Sequence, residues 1–200
     1  MSPLQTLADT VVRHHAKWTA NWHENPAPEP LDLPWAIVEQ NHRMNFDLWH
    51  EEDMARRDDL GAERVRQAKR AIDGFNQRRN DAIERLDGWF LGQINMRPDS
   101  PLHSETPGMM IDRLSILALK LYHMRVEATR ESATEEHRQK CSDKAVVLEE
   151  QLTDLAKCLQ EVLNQLQGGT RRFKIYRQFK MYNDSALNPQ LYRQKAVPAQ

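Results

Sequence analysis

The stretch Glu105 to Met124, ETPGMMIDRLSILALKLYHM, decides the fold. Thr106 is a helix N-cap residue, and Pro107 suits the first helical position because its missing N–H would have no partner there. Met110, Leu114, Leu117, Leu121 and Met124 follow at spacings of four, three, four and three. Ile111, Ile116, Ala118 and Leu119 widen that stripe almost all round the helix. A helix this apolar belongs at the centre of a protein. It also carries Asp112, Arg113, Lys120 and His123. Ionised side chains on a buried helix cost several kcal/mol unless paired, so they need complementary groups on neighbouring segments.

Working outward, the flanking segments are helical as well. Leu4, Leu7, Val11, His15, Trp18 and Trp22 form one stripe of a first helix, about Pro3 to His23. His14 and His15 point about 100° apart and are not a ligand pair. Asn25 to Pro30, NPAPEP, is a stiff extended connector. A second helix is expected from Pro34 to Asp59, with Ile37, Met44, Leu48 and Ala55 inward, and with Asp58 and Asp59 as the next N-cap. A third runs from about Gly61 to Phe90 on Val65, Ala68, Ile72, Phe75, Ala82, Leu86 and Trp89. Arg79 replaces an apolar residue in that heptad. After a loop at Arg97 to Pro101 and the central helix comes the most regular seam: Cys141, Ala145, Leu148, Leu152, Leu155, Leu159, Val162 and Leu166. Such a seam suits a coiled-coil-like hairpin or a dimer stripe. Gly168 and Gly169 should stop it.

Composition agrees. Two hundred residues with seven glycines and few β-branched residues suit one helical domain with a real core. The fold expected is an all-α antiparallel bundle of about five long helices with a basic aromatic tail. Within one domain, residues 1–24 form the first helix, 25–33 the connector, 34–167 the core and 168–200 the tail. The net charge of −1 gives no overall reason to bind nucleic acid or an anionic membrane. Cys141 and Cys158, about 25 Å apart along one helix, cannot pair within it and read as reduced core thiols. No signal-peptide pattern opens the chain, and no apolar run reaches the roughly 18 to 20 residues of a membrane span. A soluble cytoplasmic protein is expected.

The chemistry-bearing residues fall in three groups. In an antiparallel hairpin with Phe90 level with Pro107, Glu84 meets Arg113, or Arg85 meets Asp112, either as a structural ion pair or as a positioned substrate-binding arginine. The same count puts Asn41, Asn45, Asn76, Arg79 and Asn80 in one polar layer, satisfied internally or lining a pocket for an anionic or sugar-like ligand. With Trp49, Glu84, Asp112, Arg113, Lys120 and His123, these are the candidate ligand-binding residues. Asp47, His50 and Asp53 lie three apart, but no second acid-x-x-His pair exists for a di-iron bundle. No metal and no cofactor are expected.

Two helical enzyme types use residues of these kinds. Glu84-x-x-Asp87 with Glu51 and Glu52 resembles part of an all-α nucleotide pyrophosphatase site, but Ala55 stands where another acid is needed. Arg79, Arg113, Lys120 and Glu84 supply the residue types of a chorismate-mutase-like dianion site. No catalytic triad, phosphate loop or Cys-x-x-Cys motif is present. Finally, Arg171, Arg172, Lys174, Tyr176, Arg177 and Lys180, mixed with Phe173, Ile175, Phe179 and Tyr182, either wrap the bundle or bind a partner. Nucleic acid is the least favoured partner.

Four blocks carry a resemblance: Asn45 with LWHEED at Leu48 to Asp53; AKRAID with NQRRNDAIE from Ala68 to Glu84; the central stretch itself; and FKIYRQFKMYND with LNP from Phe173 to Pro189. Together they resemble the bacterial DUF4254 family, catalogued only as a domain of unknown function. The resemblance covers most of the chain, with Glu131 to Gln167 matching only as a generic helix. Members are often encoded among cell-surface polysaccharide genes. That implies a binding or accessory role near lipopolysaccharide or capsule assembly, and assigns no catalytic residue. The chain is thus expected to be such an accessory protein, a homodimer through the fifth-helix seam, or else an enzyme acting on a phosphorylated or carboxylated small molecule, or a nucleic-acid binder.

Overall fold

A computed structural model describes residues 4–24, 30–177 and 186–190. Five long helices run in the expected order: α1 (Leu7–Glu24), α2 (Trp35–Ala55), α3 (Ala62–Gln93), α4 (Pro107–Thr129) and α5 (Glu135–Gln167). A 3-10 turn (Asp58–Leu60) joins α2 to α3, and no strand occurs among the described residues. The chain is therefore an all-α bundle.

α4 is its axis. α2 packs on α3 and α4 packs on α5 as two neighbouring pairs, while α1 lies against α4 and α5; α4 touches all four other helices. Its near-continuous apolar surface explains this. Met110, Ile111, Leu114, Ala118, Leu119 and Leu121 are all buried, and so are Leu86 and Phe90 of α3 and Leu159, Leu163 and Leu166 of α5. Thr106 caps α4 as its sequence predicts, its Oγ1 accepting from Met109 N at 3.2 Å. Thr134 does the same for α5 from His137 N.

The seam of α5 is buried within the chain, apart from the half-buried Leu148. Two expectations on this helix and the one before α3 need correction. Cys158 is exposed and only Cys141 is buried, because position 158 falls just off the stripe that faces α4. Asp58 and Asp59 do not cap α3; they form the 3-10 turn, and α3 starts after Gly61, whose φ of +81° is open to glycine.

After Gly169 (φ +66°) the chain turns back over the bundle. Arg172 N donates to Pro101 O at 3.1 Å, and His103 N donates to Arg172 O at 2.8 Å. Phe173 is buried and Ile175 packs on the core, while Lys174, Tyr176 and Arg177 are exposed. Up to residue 177 the tail therefore wraps the bundle. Phe179, Lys180 and Tyr182 lie outside the described residues, as does most of the connector at 25–29. Among the described residues no helix is long and apolar enough to cross a membrane.

Candidate functional site

The polar layer forms where α2, α3 and α4 meet, and Asp112 is its centre. Asn41 and Asn45 stand one turn apart on α2, so their amides share a face. Each donates from Nδ2 to Asp112 Oδ1 at 2.9 Å. Arg79 Nε of α3 lies 3.7 Å from the same oxygen. Asp112 is 7% exposed and Asn41 is fully buried, so these partners replace water around the carboxylate.

The layer continues toward α1 as a directed chain of hydrogen bonds. The second Asn45 N–H donates to Ser115 Oγ at 3.0 Å. Ser115 in turn lies 2.7 Å from His42 Nδ1. On the far side, Thr19 Oγ1 donates its single proton to His15 O at 2.8 Å and sits 2.9 Å from His42 Nε2. Proton counting then leaves one arrangement: Nε2 carries the ring proton and donates, and Nδ1 accepts from the Ser115 hydroxyl. Burial pushes His42 down to about 3, so the ring is neutral. His15 stacks on it at 4.3 Å, and neither of its ring nitrogens has a partner among the described residues. Burial, reinforced by His42 and His14, holds His15 well below the usual histidine range.

Two cavities flank the Arg79–Asp112 pair, and Arg79 lines both. The first, about 450 Å³, is bounded by Asn45, Leu48, Trp49, Glu52, Asp53 and Arg56 of α2, Asn76 and Arg79 of α3, and Ile116 and Leu119 of α4. Trp49 is held there by His123, whose ring lies parallel to the indole (1°) at 4.5 Å. Burial, with His23 and His50 adding repulsion, lowers His123 to about 4. The second cavity, about 260 Å³, is lined by Arg79, Asn80, Glu84, Asp87, Glu105, Asp112 and Arg113 among others, with Ile175 and Tyr176 of the tail at its edge. In it Asp87 is pushed up to about 6, chiefly by burial.

The structure brings some of the candidate residues together and leaves others apart. Asn45, Trp49, Asn76 and Arg79 line the first cavity; Arg79, Asn80, Glu84, Asp112 and Arg113 line the second. Asn41 lies behind them. The expected pairing is corrected: Arg113 binds Glu105 at 2.8 Å, Arg85 binds Gln40, and Asp112 faces Arg79. Lys120 is exposed and lines neither cavity, because it sits on the narrow outward edge of α4. In the tail, Arg171 donates to Gln165 and Arg172 to the Ser100 carbonyl, so both help to dock the segment.

Arg56, Glu105, Ser115 and His42 are not site candidates from sequence, and Glu52, Asp53 and Asp87 are considered there only for a metal or pyrophosphatase site. Ser115 carries a legible signal, standing one turn after Asp112 on the same face. His42 carries none, since it adjoins Asn41 in sequence yet faces α1. No group of three or more His, Cys, Asp or Glu among the described residues is arranged to hold a metal ion.

Comparison with known families places residues 35–175 within the family described as protein of unknown function (DUF4254). The match takes in α2 to α5, the docked start of the tail and every lining residue of both cavities except Tyr176, and the chain belongs to that family. No curated protein and no solved structure matches it.

Proposed function

We propose that this DUF4254 protein is a binding or accessory protein whose small-molecule ligand enters the cleft between α2, α3 and α4. One observation supports the reading most: the buried Asp112 layer opens on two sides into cavities with a shared Arg79 wall. A polar cluster serving only to lock the bundle would be sealed on both sides by apolar packing. Ligand sites of this kind are concave, mostly apolar clefts of about 300–1,000 Å³ with a few convergent polar groups, and the first cavity falls in that range. On this reading the protein works in the surface-polysaccharide assembly that the family resemblance implies, as a single domain in the cytoplasm.

Binding is a better reading than catalysis because the arginines that line the cavities already face carboxylates. Arg113 is held by Glu105, Arg56 by Glu52 at 3.1 Å, and Arg79 Nε faces Asp112 at 3.7 Å as an ion pair. Asp87, whose carboxyl burial raises to about 6, accepts from Gly108 N and Thr106 instead of facing a nucleophile. The homodimer loses its motive, because the α5 seam packs inside the chain. Nucleic acid loses part of its motive with the docking of Arg171 and Arg172.

A thermal-shift screen of sugars, nucleotide sugars, nucleotides and divalent metals tests the proposal, since a ligand that binds only the native state raises Tm. A hit whose shift vanishes in Asn76→Ala is expected. Hits that ignore substitutions in both cavities would overturn the cleft as the site.

A further inference from the structure

The walls of the first cavity narrow the class of ligand, an inference that rests on the cleft reading above. Its charged lining is balanced, two carboxylates (Glu52, Asp53) against two guanidiniums (Arg56, Arg79). Both guanidiniums already face a carboxylate: Arg56 sits 3.1 Å from Glu52, and Arg79 Nε stands 3.7 Å from Asp112, which is 7% exposed, as an ion pair without a hydrogen bond. An anion drawn to Arg79 would bring a second negative charge beside a carboxylate that has little water to screen it. The second cavity is worse for an anion, with Glu84, Asp87, Glu105 and Asp112 against Arg79 and Arg113. Phosphate, carboxylate and nucleotide ligands are therefore disfavoured, although arginines line both cavities.

What remains is suited to an uncharged ring bearing hydroxyls. Trp49 offers an indole fixed in orientation by the parallel ring of His123. A pyranose has an apolar face of C–H groups that packs on such a surface, while its rim of hydroxyls needs both donors and acceptors. Asn76 supplies both: its amide lines the cavity and makes no hydrogen bond among the described residues. Asp53 and Glu52 supply acceptors, and Leu48, Ile116 and Leu119 an apolar floor. The volume, about 450 Å³, accommodates one sugar ring with a substituent. We propose that the first cavity binds an uncharged hexopyranose, stacked on Trp49 and hydrogen-bonded through Asn76, Glu52 and Asp53.

The test is titration calorimetry of the full chain with glucose, galactose and N-acetylglucosamine on one side, and glucose 1-phosphate, UDP-glucose and inorganic phosphate on the other. The variants are Trp49→Phe, Asn76→Ala and, in the second cavity, Asn80→Ala. At least one neutral sugar is expected to bind at millimolar concentration or below, unaffected by salt. Asn76→Ala should weaken it about tenfold, Trp49→Phe should weaken it too, and Asn80→Ala should leave it unchanged. The Asn76 side chain makes no hydrogen bond among the described residues, so its variant keeps the test valid should Trp49→Phe disturb packing. If only the phosphorylated probes bind, and Asn76→Ala weakens them, the cleft reading stands and the uncharged-sugar inference falls. If no probe binds, or binding ignores Trp49 and Asn76, the sugar inference falls along with this cavity as the site.

Discussion

Gly108 and Asp87 are in direct contact across α3 and α4. Gly108 N donates to Asp87 Oδ1 at 2.7 Å, and a Cβ built at position 108 would stand 2.6 Å from that oxygen and 2.8 Å from Ile83 O. The first turn of α4 can approach α3 this closely only without a side chain. Helix propensity alone favours alanine over glycine by about 1 kcal/mol. The contact reverses the sign: Gly108→Ala is expected to destabilise the fold by about 2–3 kcal/mol, since the backbone of α3 cannot yield as a flexible side chain would. Urea denaturation measures this, and a variant as stable as the wild type would remove the contact as a determinant of the fold.

Acid should destabilise the protein, through opposed contributions. His42 titrates at about 3 when folded and near 6.5 when unfolded, so its contribution is full above pH 6.5 and is lost as pH falls. Between pH 6.5 and 4 that is roughly 3 kcal/mol. His15 and His123, also depressed, act in the same direction. Asp87 opposes them: raised to about 6, it contributes fully below its ordinary 3.8 and loses that contribution as pH rises toward 6. The expected outcome is a Tm that falls from pH 7 to pH 4, and falls further in Asp87→Asn, which lacks the compensating carboxyl. A wild-type Tm that rises on acidification would contradict the assignment.

Asp112 and Arg113 are neighbours in sequence with unequal importance. Asp112→Ala strands two buried amide donors and the Arg79 guanidinium, and should cost about 3 kcal/mol. Arg113→Ala removes an exposed pair with Glu105 and should cost about 0.5 kcal/mol or less. Chemical denaturation of both variants checks the contrast, and equal costs would contradict it.

The two thiols should differ in access. A thiol reagent added to the native protein should modify Cys158 quickly and Cys141, 6% exposed, only after unfolding. Peptide mapping by mass spectrometry reads the result, and equal labelling under native conditions would place Cys141 at the surface.

The central position of α4, its Thr106 cap, the five helices and the grouping of Asn41, Asn45 and Arg79 are all consequences of the sequence alone. They follow from helical periodicity and end chemistry, which are local properties of the chain. The partners of the charged residues do not follow in this way. Counting one residue for one along a hairpin assumes parallel axes, yet Gly108 meets Asp87 while Asp112 meets Arg79. Four residues along α4 thus correspond to eight along α3, and the one-for-one count fails. Glu105, just ahead of the first turn of α4, takes Arg113, and the bridge from Ser115 through His42 to α1 depends on how far each helix is rotated about its axis. Crossing angle and rotation are set by the volumes of side chains from several segments packed together, so only the tertiary structure decided which polar atoms meet and where the cavities open.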